Sequence, residues 1–504
     1  MKFKLTIRAT SITITPGKEA IDILEPLINL HTFEDEFQDK TCILGFMYDE
    51  QNDVLYFHKG VDLNFVRRLL INVEVKEEPF TPYREMKYEF EEFIPPRDED
   101  QVDCINFLAG IKEHVANYKD PQLFLVKMGS FGKTFCTGYA IGLFGAKALI
   151  IMHRESLRGQ WSNSLFTLNG YPDSRVHEIT SSEEFELICN NKHNFDYDIY
   201  LMTHATFRAG VNRVKDINLI SKFPRNLGIG VKVIDEAHLE FKDTLLMDFV
   251  FNIRRNIYLT ATDGRSQRSE NTIFKHVFAN TTFYRKPSTK SKHPDKWVEY
   301  ITVHVDTHVK PNIYRFKVNS GKGMSAVSYG KWVIQYDKKQ THFKLCRELL
   351  REIYSNEPTA KVIVFMPLIE LCTECAYFLN ELNYDSTFKY DLTVKTINSH
   401  NSKSENEYNK SADVIVTTIQ SLGTGSDIKG VTDIICCSPF VSKIVAQQVF
   451  WRIRYIDKKC HYYDIVDDSV QMDLYWWRSR SRVLKNMATK FTQLSWKDDE
   501  DDTC

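Results

Sequence analysis

The sequence predicts an α/β protein of two parallel-sheet lobes preceded by a small α+β module. Two separate series of short apolar runs alternate with polar turns and amphipathic stretches, the pattern of parallel strands joined by crossover helices. A Gly-Lys-Thr follows one of these runs directly, and an Asp-Glu pair ends another about a hundred residues later. The 504 residues suffice for three or so domains at roughly 100–200 residues each.

Residues Phe3 to Thr15 alternate apolar and polar, which reads as one half-buried strand with a register slip near Ser11. CILGFMYDEQNDVLYF, from Cys42 to Phe57, reads as a hairpin turning at Gln51-Asn52-Asp53. The acidic, proline-punctuated stretch from Pro79 to Pro96 reads as a linker. Beyond it come LFLV (from Leu123), ALIIM (Ala148), IYLMT (Ile199), VKVID (Val231) and IYLTAT (Ile257) as strands of a first lobe. VIVFM (Val362), VKTIN (Val394), VIVTT (Val414), DIICC (Asp433) and YYDIVD (Tyr462) form the second series. The expected division is a module over 1–92, a first lobe over 93–284, a basic connector with the second lobe over 285–495, and an acidic tail over 496–504, with a cleft between the lobes.

Composition narrows the class. Apolar residues make up 43% and charged residues 26%, the balance of a folded soluble chain and not of a disordered one. No run of eighteen uncharged apolar residues exists, so no membrane span is expected. Lys4 and Arg8 interrupt the first apolar stretch, unlike a signal peptide. Eleven scattered cysteines fit a reducing, cytoplasmic setting. The net charge of −2 hides an asymmetry: about −6 from Glu74 to Asp100 and about +9 from Arg285 to Lys344. Charge alone leaves open whether the basic segment is a phosphate-binding surface or a solvated insertion.

The chemistry concentrates in two places. Gly129-Ser130-Phe131-Gly132-Lys133-Thr134 follows a strand and opens a helical stretch. A phosphate chain needs inward backbone N–H groups, an ammonium, and a hydroxyl for Mg²⁺, and Gly132, Lys133 and Thr134 supply these. The full pattern G-x-x-x-x-G-K-S/T would place glycine where Lys127 stands, with Gly129 as a substitute source of flexibility. Asp235-Glu236-Ala237-His238 ends the strand VKVID, so one acid can hold Mg²⁺ while its neighbour orients an attacking water. The lone Cys372-x-x-Cys375 reads as helix core, since a zinc site needs four ligands. Cys436-Cys437 reads as packing.

In their order these motifs resemble those of the superfamily 2 helicases and translocases over about residues 95–470. The resemblance implies two RecA-like lobes, ATP and Mg²⁺, and a set of roles. Gln101 stands in the position of the adenine-reading glutamine. ALIIMHRESLRGQW, holding Arg154, Gln160 and Trp161, is similar to the segment that grips the nucleic-acid backbone, and Thr203 and His204 to the next strand-contacting turn. Leu259-Thr260-Ala261-Thr262 is similar to the motif that couples the lobes. Phe365-Met366-Pro367 stands in the place of the fourth motif, and Thr424-Gly425-Ser426-Asp427 matches the T-G-x-D form of the fifth, with Thr424 on nucleic acid and Gly425 and Asp427 on nucleotide. Gln447 to Arg454 stands where the arginine finger belongs, but Trp451 replaces the family's glycine and Tyr455 its final arginine, leaving Arg452 and Arg454 as candidates. Within the superfamily, the small module and the ending from Tyr463 to Val470 resemble bacteriophage UvsW-type branch-migration helicases.

The expected protein is therefore a monomeric ATP-dependent motor. It acts on branched, forked or single-stranded DNA in viral-type replication, recombination or repair, in the host cytoplasm if viral. Lys133, Asp235 and Glu236 are its catalytic residues, and Thr134 and Asp235 its Mg²⁺ ligands. Two rivals stand beside it: a feeble helicase-like binder of DNA junctions, supported by the departures at Lys127 and Arg452 to Tyr455, and an RNA helicase. The segment YWWRSRSRVLKNM, from Tyr475 to Met487, interleaves aromatics with arginines. It reads either as a nucleic-acid contact or as a helix packing its tryptophans inward.

Overall fold

The computed structural model describes residues 2–35, 40–43, 45–111, 120–127, 131–260, 268–285, 296–309, 324–338, 340–422 and 428–497. The chain divides into two units, residues 1–292 and 293–504.

The first unit opens with a five-stranded mixed sheet. Its strands are β1 (Phe3–Ile7), β2 (Ser11–Thr15), β5 (Phe46–Asp49), β6 (Val54–His58) and β7 (Val73–Glu77), in the order β5-β6-β2-β1-β7. The short pair β3 (Thr32–Asp35) and β4 (Lys40–Ile43) stands apart. The alternation from Phe3 to Thr15 is thus two antiparallel strands, not one slipped strand: Arg8, Ala9 and Thr10 turn the chain so that Lys4 pairs with Thr15. The hairpin at Gln51-Asn52-Asp53 forms as expected.

The first lobe is a seven-stranded parallel sheet made of β8 (Gln122–Val126), β9 (Ala148–Met152), β10 (Val176–Ile179), β11 (Ile199–Thr203), β12 (Val231–Ile234), β13 (Arg255–Thr260) and β14 (Thr282–Tyr284). Their order is β10-β11-β9-β12-β13-β8-β14. Strands buried on both faces read as continuous apolar runs, which is why all five expected strands are found. β10 and β14 lie at the sheet edges, where a short and partly polar strand leaves a weak signal.

Pro79–Pro96 is a strap laid along this lobe. Its backbone amides at Thr81, Arg84 and Met86 donate to the carbonyls of Asn252, Gly228 and Gly145 at 2.8–2.9 Å. Lys87 and Tyr88 donate theirs to the carboxylate of buried Asp198 at 2.9 and 3.0 Å. The module itself is seated on the helix Phe241–Val250. Arg8 donates to the carbonyls of Phe249 (2.5 Å) and Val250 (3.3 Å), and Thr10 Oγ1 to that of Asp248 (2.6 Å). These are the end carbonyls that a helix cannot satisfy internally, and a guanidinium there also complements the helix dipole. A Cβ at Gly60 would lie 2.0 Å from the carbonyl oxygen of His276, so only glycine permits the approach on the other side.

The second unit carries another seven-stranded parallel sheet: β15 (Val298–Val305), β16 (Val362–Phe365), β17 (Val394–Ile397), β18 (Val414–Thr417), β19 (Asp433–Cys436), β20 (Cys460–Asp467) and β21 (Lys490–Ser495). The order is β17-β18-β16-β19-β20-β15-β21. The segment read as a basic connector therefore contains an interior strand, paired along its whole length with β20. Lys290 and Lys292 lie outside the described residues. Cys372 and Cys375 sit in the buried face of the helix Ile369–Asn380, and Cys436 and Cys437 at a buried strand end. No helix of the described residues is long and apolar enough to cross a membrane.

Candidate functional site

β8 delivers the chain to Lys127, whose amide donates to the Thr260 carbonyl at 3.1 Å. Gly129 and Ser130 fall outside the described residues. Gly132 has φ of +90°, and a Cβ there would come 2.7 Å from Gln101 Nε2, so the position demands glycine twice over. The helix Lys133–Phe144 follows with no side chain capping its first amides. N–H groups at the start of a twelve-residue helix are what a phosphate requires. Lys133 Nζ donates to the Lys127 carbonyl at 3.0 Å, and Thr134 is half-buried.

Lys127, in the place of a family glycine, does not enter this cradle as a second surface cation. Its buried ammonium lies 4.5 Å from the Phe131 ring centroid and 5.2 Å from that of Tyr284, and burial lowers its pKa. Gln101 is buried as well. Its Nε2 donates to the Phe131 carbonyl at 2.8 Å and its Oε1 accepts from the Arg97 amide at 2.8 Å, tying the glutamine to the phosphate loop.

The acid pair leaves the end of β12. Asp235 donates its amide to the Ile151 carbonyl, and its Oδ2 accepts from Trp161 Nε1 at 2.9 Å. Burial, and then the neighbouring Glu236, raise the Asp235 pKa to about 6, against the pull of the indole and of Lys133. Glu236 has φ of +50°, a left-handed conformation that costs a non-glycine residue about 1–3 kcal/mol and recurs at functional sites. The next residues pin it: Ala237 donates its amide to Leu259 at 3.0 Å, and His238 Nδ1 shares a hydrogen bond with Thr260 Oγ1 at 2.8 Å. Thr260 thus touches both halves of the site, the loop through its carbonyl and the acid motif through its hydroxyl. Ala261 and Thr262 lie outside the described residues.

The residues expected on nucleic acid divide. Arg154 and Gln160 are exposed. The side chains of Trp161, Thr203 and His204 are buried, at 1%, 5% and 1% exposure. The reason is local. Trp161 faces Asp235, Thr203 Oγ1 caps the helix His204–Val214 through the Thr206 amide, and burial, then His153 and Arg208, lower the His204 pKa to about 3. The role of Trp161 in holding the carboxylate was missed; its only signal is an aromatic immediately after a polar helix face. Thr424, Gly425 and Asp427 lie outside the described residues.

Arg452 and Arg454 are half-buried and stand just past the helix Lys443–Phe450, not on it. Trp451, in the family's glycine position, packs at 5.0 Å against Trp297, whose indole donates to the Ile453 carbonyl at 3.1 Å. A tilted pair of indoles here does what a tight glycine turn does elsewhere: it fixes the path of the chain that carries the arginines.

Residues 94–264 match the family profile described as the res subunit of type III restriction enzymes. No curated protein matches the chain. Among solved structures, S. cerevisiae Dbp5 bound to RNA and ADP BeF3 is similar at 12% identity, covering 81% of this chain and 92% of that one, with a TM-score of 0.52. T4 UvsW aligns at 14% identity over 98% of this chain and 100% of its own, with a TM-score of 0.35. With the two parallel-sheet lobes, the matched segment and the ordered motifs together, the chain resembles the superfamily 2 helicases.

Proposed function

We propose that this protein is an ATP-dependent helicase or translocase that remodels branched or duplex DNA in viral-type replication, recombination or repair. The observation that carries the reading is the hydrogen-bonded linkage of Lys133, Lys127, Thr260 and His238, with Asp235 braced by Trp161 beside it. It brings together a helix N-terminus, an ammonium and two carboxylates. ATP with Mg²⁺ fits this donor set. Lys133, Thr134 and the first amides of the helix Lys133–Phe144 would hold phosphates, and Thr134 and Asp235 the metal, which supplies charge neutralisation when bound. Glu236 orients and deprotonates water. Arg454 or Arg452 supplies positive charge to the transition state.

The departures from the family pattern at Lys127 and Trp451 support the rival reading of a weak junction binder. Both side chains, however, are buried in packing of their own. The test compares ATP hydrolysis with single-stranded DNA, forked DNA and RNA. Lys133→Ala should abolish stimulated turnover, and Glu236→Gln should bind ATP without hydrolysing it. Of Arg452→Ala and Arg454→Ala, one should cost far more turnover than the other. Wild-type rates in the Lys133 or Glu236 variant would end the assignment, and equal small losses at the two arginines would favour the binder.

A further inference from the structure

The aromatic and basic residues of the helix Gln471–Met487 separate cleanly by face. Arg480 is fully buried: its Nε lies 3.0 and 3.1 Å from the two Asp464 oxygens, and its Nη1 donates to Asp473 at 3.2 Å. Trp476 packs on the lobe core, and Trp477 meets His304 edge-on at 4.9 Å. These contacts fix the rotation of the helix about its axis.

The rotation presents Tyr475, Arg478 and Arg482 to solvent at i, i+3 and i+7, one stripe of a helix. Tyr475 is 64% exposed. None of the three side chains has a hydrogen bond, ion pair or ring contact among the described residues. The helix's one acid, Asp473, is buried and already paired with Arg480. Two guanidiniums about 6 Å apart along the axis, with no carboxylate between them, form a track for phosphates. A phenol one turn away offers a face to a base. The aromatic separates single strands from duplex, whose bases are already stacked.

We propose that this stripe is a contact for single-stranded nucleic acid outside the helicase motifs, with Arg478 and Arg482 on successive phosphates and Tyr475 under a base. It rests on the nucleic-acid reading above. The test uses the full chain, a labelled single strand and a blunt duplex of equal length, with affinity measured between about 50 and 200 mM salt. The Arg478→Gln/Arg482→Gln variant should lose roughly 1.4 from the log–log salt slope on the single strand, about 0.7 for each phosphate contact. The Arg478→Lys/Arg482→Lys variant should keep it. Tyr475→Ala should weaken single-strand binding roughly 5- to 150-fold and spare the duplex, while Tyr475→Phe behaves as wild type. All three sites are exposed, so an unchanged melting temperature verifies the fold of each variant. A folded glutamine variant with the wild-type slope, or equal weakening of both DNAs by Tyr475→Ala, overturns the proposal while leaving the helicase reading intact. A wild-type protein that binds no nucleic acid overturns both.

Discussion

Replacing Trp161 by phenylalanine removes one hydrogen bond to a carboxylate on which the proposed chemistry depends. The indole donates to Asp235 at 2.9 Å and so favours the ionised form, in a setting where burial and Glu236 already hold the pKa at about 6. A hydrogen bond to a charged group is worth about 1.5–3 kcal/mol, and one pKa unit is about 1.36 kcal/mol. Complete loss would therefore raise the pKa by roughly 1–2 units; Asp235 is partly exposed, so water restores a share and about one unit is expected. The sign follows from the charge required. The carboxylate is present above its pKa and lost as pH falls through it. In the metal-free protein the Asp235 carboxyl should titrate with a midpoint near pH 6, and in Trp161→Phe with one near about pH 7. At pH 7 the ionised fraction drops from about 90% to about 50%, and at about pH 8.5 the variant should recover. The assay is a titration of the Asp235 carboxyl in the metal-free protein, followed by NMR across pH, with a melting curve for each sample. An unchanged midpoint in a folded variant would refute the role given to the indole.

Arg8→Ala should lower unfolding free energy by about 1–3 kcal/mol in a denaturant titration, because it strips donors from the end carbonyls of the helix Phe241–Val250, whereas exposed Lys4→Ala should stay within about 0.5 kcal/mol. Arg480→Met leaves Asp464 and Asp473 buried without their cation, so stability should fall by about 3–5 kcal/mol. That loss should shrink as pH is lowered and Asp473, whose pKa burial raises, takes up a proton, which melts at about pH 5 and pH 8 will reveal. His58 is buried against His31, with a ring-centroid distance of 4.8 Å, and burial, then His31 and His276, hold its pKa well below 6.5. Its neutral form is required in the fold, so stability is present above about pH 6.5 and lost below it, and His58→Asn should flatten that acid limb.

The parallel sheets were legible because strands covered on both faces must be apolar throughout, as in ALIIM and VIVTT. β15 escaped notice: its sequence VEYITVHV begins just past a run of lysines, and the charge pattern dominated the reading. The turn at Arg8, Ala9 and Thr10 was mistaken for a slip because an apolar–polar alternation continues through both arms of a hairpin. At the site, the residue types named the chemistry at Lys133, Asp235 and Glu236. The partners did not announce themselves. Trp161 reaches Asp235 across 74 positions of chain, and Lys127 finds its aromatic slot partly in Tyr284; such pairings are made by the fold and leave no local spacing.

The strap from Pro79 to Pro96 bears on how the amino-terminal module can be used. Eighteen extended residues could reach roughly 60 Å, enough slack for a tethered domain to sweep a wide volume and raise its local concentration near a substrate. Here that slack is spent. The strap's amides are laid down on successive loops of the first lobe, while the other side of the module is bolted to the end of the helix that follows the acid motif. The module is therefore held in place on the first lobe and is not a domain on a loose tether. Removing it would expose the end carbonyls of the helix Phe241–Val250, so the module is better probed by changing its outer surface than by cutting it away.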